Sequence, residues 1–98
     1  MRLTKWKIES TEQNQGRLIF VDLTGIVWSR SVGPFEVFLH KGNKANYNIY
    51  VTYHGDNTWT TSTFNPTNTG AKRAATNFLK WTIENYIEEA QKALEAFK

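Results

Sequence analysis

The hydrophobic period of the chain changes once, at Asn65-Pro66, and that change limits the fold more than any other feature. Ahead of it apolar residues recur at every second position; behind it they recur at every third or fourth. Phe35, Val37 and Leu39 alternate with Glu36, Phe38 and His40, and Tyr47, Ile49, Val51 and Tyr53 alternate with Asn48, Tyr50 and Thr52. From Ala71 onward, Ala75, Leu79, Ile83, Tyr86, Ile87, Ala90, Leu94 and Phe97 fall at spacings of three and four, the repeat of a helix face. Strands first and a helix last predict an α+β fold: an antiparallel β-meander of five or six strands followed by one long C-terminal helix packed on one sheet face. The 98 residues make a single domain, with sheet over 1–64 and helix over 65–98.

Residues 2–9 are expected as an edge strand whose Lys5 and Lys7 discourage pairing with other chains. Residues 17–23 are a dense β-prone run, and Gly25 then marks either a tight turn, the favoured reading, or a bulge within one bent strand. The pattern resumes over 26–32. Gly33-Pro34 punctuates it, residues 41–46 form a polar loop, residues 55–57 a hairpin connection, and 58–64 a Thr-rich last strand. The helix starts either with Asn65 as N-cap and Pro66 at its first position, or with Asn68 or Thr69 as cap and Gly70 first.

A helix over residues 70–97 is roughly 40 Å long, whereas strands of about seven residues span roughly 23 Å. Its end overhangs the sheet unless the helix bends, yet the apolar stripe runs on through Ala90, Leu94 and Phe97. A bend, or cover from Trp6 and Trp28, is the first expectation for those residues. Pairing with a second copy of the chain as a homodimer comes next, and then another partner.

The chain has no cysteine, which excludes a disulfide framework, a thiolate metal site and a thiol nucleophile. No run of about 18 apolar residues marks a membrane span, and a cytoplasmic location is the simplest expectation. Net charge is +3, unevenly spread: residues 1–83 carry ten Lys/Arg against five Asp/Glu, and residues 84–98 two against four. A basic body is compatible with nucleic acid without requiring it. Aromatics make up 14% of the chain, more than so small a core encloses, so some rings are expected at the surface.

Catalytic signatures are absent. Ser29, Ser31 and Ser62 lack a nucleophile-elbow context, and no phosphate loop or dinucleotide fingerprint exists. His40 and His54 fall at strand ends and approach one another if their strands pair as a hairpin, with Glu36 or Asp56 as a loose third metal ligand; the preferred reading is two solvated surface groups. Glu88 and Glu89 with Lys92 read as an ion-paired helix face. No enzyme, cofactor or metal is expected.

The binding surface expected is the outer sheet face, with Phe38, His40, Tyr50 and His54 beside the basic loop residues Lys41 and Lys44, and Trp81 partly exposed on the helix. Rings rimmed by cations match the composition of protein interfaces; Trp28 and Trp59 are expected in the core instead. The leading expectation is a non-enzymatic protein-binding module, a small inhibitor that occludes a nucleic-acid-handling enzyme or complex. Size and layout resemble small phage and mobile-element proteins of that kind, an analogy of architecture that no motif carries. The competing expectation is a single-stranded nucleic-acid-binding domain that stacks bases on the same face, with Arg30, Lys72 and Arg73 gripping phosphate.

Overall fold

The computed structural model describes residues 1–9, 26–42 and 44–98, with the backbone alone at 9, 57 and 58. Five strands pair antiparallel in chain order: β1 (Lys7–Glu9), β2 (Val27–Val32), β3 (Phe35–Lys41), β4 (Asn46–Tyr53) and β5 (Asp56–Phe64). One helix, α1 (Asn68–Glu95), follows and packs on the sheet. This is the α+β meander and helix that the change of period predicts. The β-prone run at 17–23 and the Gly25 turn or bulge lie outside the described residues.

Turn chemistry sets the register. Gly33, with φ of 56°, and Pro34 join β2 to β3, so that Val32 faces Phe35. A positive-φ glycine at the first central position is what a tight hairpin of this kind requires. Between β4 and β5 the loop is His54-Gly55, one residue earlier than the 55–57 connection expected. Both residues have positive φ, 53° and 89°, the pairing of a type I′ turn that follows the twist of its strands. At the edge, only residues 7–9 of the expected 2–9 strand pair as a ladder. Thr4 extends the attachment by other means: its N–H donates to the Ser31 carbonyl and its Oγ1 accepts from the Ser31 N–H, both at 2.8 Å.

Alternation along the strands decides which side chains meet α1. Trp28, Val37, Leu39, Tyr47, Ile49 and Val51 bury against Ala71, Ala75 and Leu79 of the helix. Two alanines at the contact let helix and sheet approach closely. Trp28 joins this core as expected, and Trp59 packs half-buried at its margin. Further along, Phe35, Tyr53 and Tyr86 close the core with ring centroids 5.0 to 5.6 Å apart, distances at which aromatic pairs attract beyond their area. Thr82 is buried in α1 with its hydroxyl donating to the Phe78 carbonyl at 2.8 Å, so no polar group is stranded there.

The helix cap falls between the two expected positions. Thr67 is the N-cap: its backbone is extended and its Oγ1 accepts from the Gly70 N–H at 3.0 Å. Asn65 is occupied one step earlier, its Oδ1 accepting from the Thr67 N–H at 3.3 Å. The Tyr47 hydroxyl donates to Asn68 Oδ1 and ties the helix start to β4.

Two expectations about cover are overturned. First, α1 has 28 residues, about 42 Å, and its last buried side chain is Thr82. Every residue from 87 to 98 is exposed. Trp6 and Trp28 do not shield that end, because they lie beside the first half of the helix, under Arg30 and Lys72 respectively, at 5.2 Å in each case. Second, the sheet face turned away from α1 is not an open aromatic surface. Phe38 is 0% exposed, and Val27, Ser29 and Thr52 on the same parity are buried with it. Phe38 and Val27 form a second apolar cluster against which Tyr50 packs.

Candidate functional site

The residues expected to form one ring-bearing face are distributed over three places. Phe38 stands opposite Tyr50 in the β3–β4 register, but with Phe38 buried only part of the Tyr50 ring reaches solvent. Burial raises the Tyr50 phenol pKa above its usual value, since the phenolate is the form that loses most by leaving water. His40, Lys41 and Lys44 gather at the β3–β4 hairpin end. Lys41 and Lys44 are exposed, and His40 Nδ1 lies 3.4 Å from Asn48 Nδ2. His54 is exposed at the other end of the same hairpin, its ring against Tyr53.

This corrects the expectation that the two histidines approach. β3 and β4 do pair as a hairpin, but His54 follows Tyr53, which faces Phe35, five positions from His40. At about 3.4 Å per residue the separation is roughly 17 Å. Among the described residues no three His, Asp or Glu side chains gather where an ion could bind.

Trp81 is 53% exposed and stacks on Phe78 with centroids 5.5 Å apart. It lies on one flank of α1. The opposite flank carries more. Ile83, Ile87, Ala90, Leu94 and Phe97 recur at 4, 3, 4 and 3, and at 100° per residue they point roughly a quarter turn away from the sheet-facing line of Ala71, Ala75, Leu79 and Thr82. Ile87, Leu94 and Phe97 are all strongly exposed, Phe97 at 87%. Where this stripe meets the sheet, Leu3, Val32, Leu79 and Ile83 line a groove of about 330 Å³, with Lys80 and Glu84 beside them. Scattered exposed apolar residues are ordinary on a protein surface; an apolar stripe with a groove at its root is a candidate for an interaction surface.

No family model, curated protein or solved structure matches this chain. The surfaces therefore stand on their own chemistry.

That chemistry is polarised along α1. Beyond the sheet the apolar stripe is flanked by Glu84, Glu88, Glu89 and Glu95, with Lys92 pairing with Glu88 at 3.4 Å in the expected ion-paired face. On the same flank at the start of the helix, Arg30, Lys72 and Arg73 come together with Trp6 around a hollow of about 360 Å³. Arg30 comes from β2 and the two other cations from the helix, so their meeting is a product of the fold. Those three cations are the ones expected from the sequence to grip phosphate; Trp6, Leu3 and Val32 are not legible there as site residues, because their positions depend on how the N-terminal segment lies against β2. Among the described residues no helix is long and apolar enough to cross a membrane.

Proposed function

We propose that this chain is a non-enzymatic protein-binding module whose free helix end docks on a partner presenting an apolar ridge flanked by Lys and Arg. One observation carries the reading: the stripe of Ile87, Leu94 and Phe97 continues past the last buried residue and lies exposed on a segment, residues 84–98, that carries four Glu against two Lys. Burying such a stripe supplies the apolar area that drives association, while the glutamates favour a cationic rim and disfavour an acidic one. Basic surfaces of this kind are the working surfaces of nucleic-acid-handling proteins. A module bound there occludes the site and acts as an inhibitor.

Support also comes from the groove at Leu3, Val32, Leu79 and Ile83, which offers a pocket for one large anchor side chain at the inner end of the stripe. The outer sheet face loses its place in the reading because Phe38 is not accessible.

The test is a photo-crosslinkable residue placed at Leu94 in the native host, followed by affinity measurement with the crosslinked protein in purified form. The paired substitution Leu94→Glu/Phe97→Glu should weaken binding on the order of 100-fold and leave the melting temperature unchanged. Undiminished binding would remove the helix end as the site. A crosslink to the chain itself, with dimer mass in solution, would give the surface to a second copy.

A further inference from the structure

We infer that the hollow between β2 and the start of α1 is a phosphate-binding site, fitted to the phosphodiester chain of a single-stranded nucleic acid. This site is distinct from the helix end and does not depend on the protein-binding reading.

Charge is the first argument. Arg30, Lys72 and Arg73 line the hollow, and among the described residues no Asp or Glu does. The helix that opens beside it has no acidic residue in its first turn, so no charged side chain compensates the positive end of its dipole. Thr69 adds a hydroxyl to the lining, a group that completes phosphate sites alongside cations.

Preorganisation is the second. Arg30 is held from three directions: its Nε donates to the Thr4 carbonyl at 2.9 Å, its Nη1 donates to Thr76 Oγ1 at 3.0 Å, and its guanidinium lies 5.2 Å from the centre of the Trp6 ring. Those two hydrogen bonds use two of the five donors a guanidinium offers. A cation fixed in this way loses little rotamer freedom when an anion arrives.

The shape of the charge selects the ligand. Arg30 comes from β2 and Lys72 and Arg73 from α1, so cations line both walls of the hollow. Three cations around one hollow fit a chain of phosphates better than a lone phosphate, because each can neutralise a separate phosphodiester.

The experiment is fluorescence anisotropy of a labelled oligothymidine of about 16 nucleotides with the full chain at low salt. Wild type is expected to bind, with affinity falling as salt rises. Lys72→Ala/Arg73→Ala should weaken binding on the order of tenfold or more and flatten the log–log salt slope by about 1.4, two contacts on a single strand. Arg73→Glu, an exposed substitution that leaves the core untouched, should weaken it as well. Lys41→Ala/Lys44→Ala, in the β3–β4 hairpin and outside the lining of the hollow, should not. The inference is overturned if wild type fails to bind at low salt. It is overturned equally if the hairpin pair costs as much as the helix pair, which is diffuse electrostatics, or if inorganic phosphate displaces the oligonucleotide as effectively as unlabelled oligonucleotide does per phosphate.

Discussion

Arg30 and Thr76, 46 residues apart, join β2 to α1 through a 3.0 Å hydrogen bond, and Thr76 passes the bond on by donating to the Lys72 carbonyl at 2.9 Å. The hydroxyl accepts and donates at once, which fixes the flank of the helix against the strand. Thr76→Val keeps the shape and removes both bonds. Because Arg30 is half-exposed and regains water, the cost should be about 1 kcal/mol, read from the urea midpoint. Oligonucleotide affinity should fall with it, since the guanidinium loses one of its three holds.

Phe38 is a folding residue, not a contact residue. Fully buried with Val27 on the face away from α1, its replacement by Ala should cost about 3–5 kcal/mol. Chemical denaturation would report this as a large fall in midpoint. Tyr50→Ala, at a half-buried position, should cost clearly less.

The packed and the free parts of α1 should respond unequally to the same chemical change. Leu79 is 2% exposed and Leu94 62%. Leu79→Ala leaves a cavity under the helix and should destabilise by about 2–5 kcal/mol; Leu94→Ala should stay within about 0.5 kcal/mol. If Leu94→Ala destabilises by more than about 1 kcal/mol in a way that depends on protein concentration, the helix end is buried between copies.

Tyr53 shares a hydrogen bond with Tyr86, and that bond, then burial, then repulsion from a Tyr86 phenolate raise its pKa; burial raises that of Tyr50. Below the unfolded value of about 10 folded and unfolded chains both hold these protons, and the stabilisation is complete. As pH climbs past it the unfolded chain releases protons that the folded chain keeps, so stability falls until the folded pKa is passed. Urea midpoints should drop between about pH 9 and about pH 11, and Tyr53→Phe should drop less steeply than wild type over that interval.

Much of this was legible without coordinates. The alternation of Val37, Leu39, Ile49 and Val51 named the core side of β3 and β4, and the spacing of Ala71, Ala75 and Leu79 named the helix face that meets it. Gly33-Pro34 and the Gly55 region gave the hairpins to within a residue. The site was less legible. Phe38 has the parity of a solvent-facing residue, and period alone does not say whether a second face is covered. The only hint was that an apolar ring stands where Glu36 and His40 set a polar pattern.

The helix shows the division most clearly. The sequence by itself determined that α1 is long, that it starts near Asn65-Pro66 and that its apolar positions run to Phe97, because each of these depends on neighbours within a few residues along the chain. Only the tertiary structure decided that the apolar positions of α1 serve two purposes, sheet packing as far as Tyr86 and open surface from Ile87 onward. Only the tertiary structure brought Arg30 beside Lys72 and Arg73. Both outcomes follow from where a helix of about 42 Å lies across shorter strands, and that placement is settled by contacts between residues far apart in sequence.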